Sequence, residues 1–488
     1  MSATAILICL ISYFAVLMLV SYITGRNSTN EGFFLANRKS PWYLIAFGMI
    51  GSSISGVTFV SVPGAVKAGG FTYYELVLGL VLGYWIIAWV LMPVYYRLQL
   101  TSIYTYLKTR FGNYGYKTGA SYFLLSRILG ASLRIYVAVA VLQNCIFNQW
   151  NINFMVSASI IVILIWLYTR SGGMKTIIWT DALQTFFLLA ALVGSIIFIS
   201  QSMHLHISDL AKTVTDSPYS KMFDWDYKSK YYFFKQFFSG VFIAIAMTGL
   251  DQDMMQKNLT CKTISESQKN IFSFSIIYSI VVLVFLALGT LLYTYAESHN
   301  IALPAKPDDL YPMLATQNHF GTIIEFLFIM GITAASFASA DSALAALTTS
   351  FCVDILDIGE KEKEKQEKTR KNVHVFMAAS LIFVIIIFHL INDDTSIINV
   401  VYKIAAYTYG PLLGLYSFGL LTKSKANDKW IPAICVFAPV MCYVLDSQSK
   451  VWFNGYQFGF ELLIMNALIT FIGLLISAMN NKGVKVNG

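Results

Sequence analysis

Apolar residues run along this chain in blocks of about twenty, parted by short polar connections. A hydrocarbon core about 30 Å thick takes roughly 20 apolar residues per helix. The pattern predicts an all-α membrane protein of about thirteen spans, near 3–24, 43–65, 73–96, 118–146, 152–169, 176–200, 234–256, 272–295, 320–353, 373–391, 397–422, 430–446 and 458–479. The first is numbered helix 0 here and the rest helices 1 to 12. Helix 0 has no positive residue ahead of its apolar run, and the run is long for a signal peptide, so it reads as a retained helix.

Two helices carry polar interruptions. Helix 1 contains GMIGSSISG (48–56) and helix 8 contains ASFASADSALAALTTS (335–350). Small and hydroxyl residues let helices pack closely. They also suit a locally unwound helix whose carbonyls and hydroxyls bind an ion, which is tolerated at membrane depth only where it is buried or lines a cavity. The pattern leaves both readings open. Gly410-Pro411 marks a bend in helix 10.

Composition agrees with lipid as the solvent. Of 488 residues 57% are hydrophobic and 12% charged, against about 25% charged in soluble domains. Six scattered cysteines offer no zinc spacing and no disulfide framework. The six histidines fall in loops or near helix ends, which argues against haem ligation. No nucleophile–base pair, metal cluster or phosphate loop suggests an enzyme.

The net charge of +8 is distributed for a membrane rather than for nucleic acid. Most Lys and Arg fall in alternate connections: Arg26, Arg38 and Lys39, then Arg97, Lys108, Arg110 and Lys117, then the run from Lys361 to Lys371. The positive-inside rule makes that side cytoplasmic. The N-terminus is then outside and the C-terminus inside, in a cell inner or plasma membrane. The charged stretch 359–372 reads as a solvated helix or loop. The whole chain, 1–488, is expected to be one membrane domain and a monomer.

A charge at mid-membrane costs about 2.5–3.5 kcal/mol on insertion scales and needs a reason. Asp181 lies near the inner end of helix 5, where it either reaches water or binds a cation. Asp341 on helix 8 is flanked by Ser339 and Ser342. Oxygen-rich surroundings suit a hard cation such as sodium, and the competing reading is a pairing with a basic side chain. Arg127 and Arg134 on helix 3 are seven residues apart and share one face. Arg134, nearer mid-span, either clamps a substrate carboxylate or pairs with Asp341 or Glu75. Lys403 on helix 10 snorkels to the outer interface.

Six segments in order resemble the sodium:solute symporter family: EGFFLANRKSPWYLIAFGMIGSSISGVTFVSVPG (31–64), LTSIYTYLKTRFG (100–112), YTRSGGMKTIIWTDALQ (168–184), GLDQDMMQKNL (249–259), SADSALAALTTSFCVDIL (339–356) and YTYGPLLGLYSFGLL (407–421). The resemblance spans nearly the whole chain. It implies a LeuT-type core of two inverted five-helix repeats, 43–200 and 234–422, with an extra N-terminal helix at 3–24 and peripheral helices at 430–479. It also implies symport of a small solute with sodium by alternating access.

Carried over position by position, the shared sodium site matches Gly51 and Ile54 on helix 1 and Ala335, Ala338 and Ser339 on helix 8. Ala338 stands where many members have Ser, so one hydroxyl ligand is missing. A second cation site matches Asp181, Asp341 and Ser342, with Asp341 replacing a commoner Ser. Substrate positions match Ser55, Thr58, Val77, Met247 and Thr248. The arginine that binds a carboxylate in sialic-acid-type members aligns with Ala131, one turn from Arg134, which is a candidate by geometry. Val77 stands where sugar carriers often have Gln or Glu, against a sugar-type hydrogen-bond network. The expected solute is thus an organic anion or acidic sugar. The alternatives are a neutral sugar or polyol, proton coupling through Asp341, and a non-transporting sensor on the same scaffold.

Overall fold

The structure is a computed structural model that describes residues 3–25, 30–227, 229–317, 319–360, 362–391, 397–456 and 458–483. Arg26, Lys361 and the end of the C-terminal tail lie outside the described residues. Fifteen principal helices carry the fold. They are α1 (Ala3–Gly25), α2 (Trp42–Ser53), α3 (Gly56–Gly69), α4 (Tyr73–Arg97), α5 (Asn113–Cys145), α6 (Phe154–Gly172), α7 (Met174–Ser202), α8 (Phe233–Gly249), α9 (Gln252–Asn258), α10 (Ile264–Ser298), α11 (Gly321–Ile355), α12 (Lys363–Ile391), α13 (Ile397–Leu421), α14 (Ile431–Trp452) and α15 (Leu462–Gly483). Among the described residues there is no strand beyond one isolated bridge, Ser40 to Cys261.

Ten of the described helices are long and apolar enough to cross a membrane, or twelve spans if each of two bent pairs counts as one. The span expected at 152–169 is a shorter apolar helix, Phe154–Arg170. The bent pairs are α2–α3, turned by 60°, and α8–α9, turned by 72°. They are the first helix of each expected repeat.

The first break lies inside the expected helix 1. The helical ladder of α2 ends with the Ile54 N–H bonded to Ile50 O at 2.8 Å, and resumes with Phe59 N–H to Ser55 O at 3.0 Å. Ser55 is extended (φ −68°, ψ 170°). The last four carbonyls of a helix have no partner within it, so Gly51, Ser52, Ser53 and Ile54 present theirs at the break. The second break is one the sequence reading did not anticipate. A wide i+5 turn over Ile245–Gly249 leads into Asp251, whose carboxylate caps α9 by accepting from the N–H groups of Asp253 and Met254.

The small-residue stretch of the expected helix 8 is not broken: α11 is continuous helix, wide only in its last turn. Its alanines let the neighbouring helices pack closely. In its most apolar stretch 83% of residues are buried, against 28% for α1 and 22% for the α14 region. Helix α11 is thus at the centre, with α1 and α14 outside. Gly410 and Pro411, where a bend is expected, lie within the unbroken helix α13.

Candidate functional site

A cavity lies where the two broken helices face each other. Its wall takes Ser55 and Thr58 from the α2–α3 break, Arg134 from α5, Met247 and Thr248 from α8, and Tyr402 from α13. Five of the six residues expected to contact substrate therefore meet at one cavity. Val77 does not line it. It is fully buried, and α4 presents Leu80 and Tyr84 from the same helical face instead. Val77 offers no polar group, and sequence resemblance alone placed it at the wall.

The two arginines of α5 have different surroundings. Arg127 is buried and ion-paired with Asp253, with Asp251 Oδ2 at 3.8 Å from its Nη1. Tyr409 on α13 donates to the same oxygen of Asp251. This network ties α5, the second break and α13 together at one end of the cavity. Arg134, two turns on, has no hydrogen bond or ion pair among the described residues. Neither carboxylate expected as its partner pairs with it. Glu75 accepts from the Asp224 N–H at 2.7 Å, and Asp341 accepts from the Tyr168 hydroxyl at 2.9 Å. The guanidinium charge of Arg134 thus belongs to the cavity.

At the cavity's other end Tyr402 donates to, or accepts from, the hydroxyl of Tyr73 at 3.0 Å. Beyond this pair two further cavities share Lys230, Tyr231, Gln236 and Phe460. Lys403 faces one of them, 63% exposed and paired with Asp446 at 3.2 Å.

The five residues matched to the shared sodium site come from the first break and from α11. The break lies so close to α11 that a Cβ on Gly56 would fall 2.1 Å from Ser336 Oγ, and so close to α7 that one on Gly51 would fall 2.3 Å from Thr185 Oγ1. Only glycine allows this approach. Ala335, Ala338 and Ser339 are fully buried there. Ser339 Oγ donates to Ser336 O at 2.9 Å. Ser336 Oγ, fully buried at the break, has no hydrogen-bond partner among the described residues. A buried hydroxyl with free lone pairs at a helix break, where terminal carbonyls lack helical partners, fits a hard cation. Sequence matching did not single out Ser336.

The third group is the one matched to a second cation site. Asp181 is buried and pairs with Lys257 of α9, Nζ to Oδ2 at 2.7 Å. Its Oδ1 has no partner among the described residues. Asp341 accepts from the Tyr168 hydroxyl and from the N–H of Ser342. Ser342 Oγ donates to Ala338 O at 3.0 Å. The reading of Asp181 as a helix-end group in water does not hold, since it is 1% exposed. Lys257 was missed because it lies just past the predicted end of helix 6, where a lysine ordinarily reaches water. The break folds α9 inward and buries Asp251, Asp253 and Lys257 together. Their clustering in DQDMMQK, with Asp253 and Lys257 one turn apart, is the signal that was available.

Residues 33–429 match the profile of the sodium:solute symporter family. The chain is 23% identical to a sodium/sialic acid symporter of Aliivibrio fischeri over 97% of this chain and 92% of that protein. It is 24% identical to another of Proteus mirabilis, covering 94% and 93%. A sodium-coupled monocarboxylate transporter of Xenopus laevis is 24% identical over 84% of this chain and 67% of its own length. Among solved structures, a substrate-bound, outward-open Na+-coupled sialic acid symporter aligns at TM-score 0.82 with 22% identity, over 97% of both chains. At such identity the likeness shows the fold, which is LeuT-type.

Proposed function

This chain belongs to the sodium:solute symporter family, and we propose that the solute it carries is a small organic anion with hydroxyl groups, such as a carboxylated sugar. The observation that carries the proposal is Arg134, a guanidinium on the cavity wall without a protein carboxylate, two turns from an arginine that has one. A buried charge needs a partner. The planar fork of arginine suits a carboxylate bidentately. The hydroxyls of Ser55, Thr58, Thr248 and Tyr402 on the same wall suit a polyhydroxylated body better than a purely apolar one. The relatives named for sialic acid and for monocarboxylates carry anions of this class.

In this reading sodium binds at the first break, held by the carbonyls of Gly51, Ile54 and Ala335 and the hydroxyl of Ser339, with Ser336 standing in for the hydroxyl that Ala338 lacks. Binding there draws α2–α3 onto α11 and shapes the wall that carries Ser55 and Thr58. Alternating access then opens the cavity past Tyr73 and Tyr402 on the outside, or past Arg127 and Asp253 on the inside. The N-terminus is external and the C-terminus cytoplasmic.

The test is uptake into liposomes holding the purified protein, with N-acetylneuraminate, lactate and glucose as labelled solutes, under a sodium or a choline gradient. Anion uptake that requires sodium supports the reading. Sodium-driven glucose uptake without either anion overturns the anion assignment, and equal uptake in choline overturns the coupling.

A further inference from the structure

Behind the sodium site, on the side of α7 and α11 away from the cavity, five polar side chains are enclosed together. Asp181 and Gln184 come from α7, Asp341 from α11, Tyr168 from α6 and Tyr13 from the peripheral helix α1. All are buried. Lys257 of α9 is the cation that enters this group, at 2.7 Å from Asp181. It is itself 1% exposed.

The group is unevenly satisfied. An ammonium has three N–H donors, and one is used on a described acceptor, Asp181 Oδ2. Asp181 Oδ1, both amide atoms of Gln184 and the Tyr13 hydroxyl lack a hydrogen bond of good geometry among the described residues. The Gln184 amide nevertheless stands close to the Tyr13 and Tyr168 hydroxyls. Buried polar atoms in native proteins are ordinarily paired. Here three neighbouring side chains keep oxygen lone pairs free beside two carboxylates whose fields overlap. Such oxygen-rich surroundings suit a hard monovalent or divalent cation. Among the described residues the cation that enters this group is Lys257.

We propose that Lys257 is a resident cation occupying, on Asp181, the place that a second sodium ion would otherwise take, so that the protein binds one exchangeable sodium rather than two. The inference rests on the sodium-symporter reading and adds a specificity role for a residue outside the substrate cavity. The tethered ammonium is always at the site, costs no binding from solution and keeps the Asp181 carboxylate from competing for the sodium at the α2–α3 break. Removing it leaves two carboxylates and three oxygen-bearing neighbours with no counter-charge, a site a sodium ion fills. The neutral pair Asp181→Asn with Lys257→Met removes both the ammonium and its carboxylate, and with them the demand for a second ion.

The experiment reads sodium directly, without any solute. Melting temperature of the purified protein is followed against sodium concentration, with choline holding the ionic strength. The rise in stability with the logarithm of sodium scales with the number of ions bound to the folded state. The wild type is expected to show the slope of one ion. Lys257→Met is expected to melt lower without sodium and to show a slope that is roughly doubled. The double variant is expected to return to the wild-type slope. It also keeps the test readable if Lys257→Met alone does not fold: a double variant whose slope differs from the wild type's then overturns the proposal. A wild-type slope of two ions overturns it, as does a Lys257→Met slope equal to that of the wild type. A wild type indifferent to sodium overturns the sodium-symporter reading itself, an outcome distinct from the other two.

Discussion

Arg127 is ion-paired with Asp253 in the interior, one residue on α5 and the other at the start of α9 just past the second break. The pair closes one end of the cavity. At the break itself the carbonyls of Gly249 and Leu250 accept from the hydroxyls of Tyr95 and Tyr104, each at 2.8 Å. Breaking a buried pair by removing one partner leaves an uncompensated charge and costs about 3–5 kcal/mol. Arg127→Met should therefore lower the melting temperature sharply. The double variant Arg127→Met with Asp253→Asn should recover a large part of the loss, as read by thermal unfolding in detergent.

Arg134 gives the opposite expectation. It has no structural partner among the described residues, so Arg134→Gln should leave stability nearly unchanged. Hydrogen bonds to charged groups contribute about 1.5–3 kcal/mol, which is roughly 10- to 100-fold in affinity. The apparent KM for an anionic solute should rise by that factor while the sodium dependence of melting is kept. Arg134→Lys should recover only part, since a point charge lacks the bidentate fork. A variant that unfolds instead would make Arg134 structural.

What was legible in the sequence was what stands out against an apolar background. Arg134 is a lone charge in an apolar run, and Ser55 lies within, and Thr58 just after, the glycine and serine interruption at 48–56. Those signals are local. The burial of Asp251, Asp253 and Lys257 is not local. It follows from a break that turns α9 back into the protein by 72°, and a charged stretch at the end of an apolar run looks the same whether it folds inward or meets water. Helix 8 shows the reverse case. Its small residues resemble a break in composition, but α11 is one continuous buried helix; close packing accounts for its alanines, while Ser336 keeps a hydroxyl unpartnered among the described residues at the first break. Val77 was placed by resemblance with no chemistry of its own to support it.

Ala338 offers a gain-of-function prediction. It is fully buried on α11 one turn from Ala335 and beside Ser339. Ala338→Ser adds the hydroxyl that the resemblance finds missing, next to the carbonyls orphaned at the break. One added hydrogen-bond-strength ligand contributes about 0.5–1.5 kcal/mol. The sodium concentration giving half-maximal stabilisation should fall by roughly 2- to 12-fold, with melting in choline unchanged. A rise in that concentration would place the sodium elsewhere.

Tyr73 and Tyr402 supply the last prediction. Their hydroxyls meet at 3.0 Å, joining the start of α4 to α13 across the way between the central cavity and the two further cavities. Tyr402 lines both the central cavity and one of the further cavities, and Tyr73 lines the other. One neutral hydrogen bond contributes about 0.5–1.5 kcal/mol, enough to move a two-state equilibrium several-fold. Tyr73→Phe removes the bond and keeps the ring, so packing is largely preserved. In a background carrying Ser55→Cys, the introduced thiol lies on the cavity wall and reports access from outside. Its rate of modification by a membrane-impermeant reagent should rise by roughly 2- to 12-fold in the Tyr73→Phe variant. The same rise should follow from Tyr402→Phe, and the two changes together should add little, because either one alone already breaks the bond. Additive effects of the two substitutions would mean that each ring blocks the path by its bulk, and that the hydrogen bond is incidental to closure.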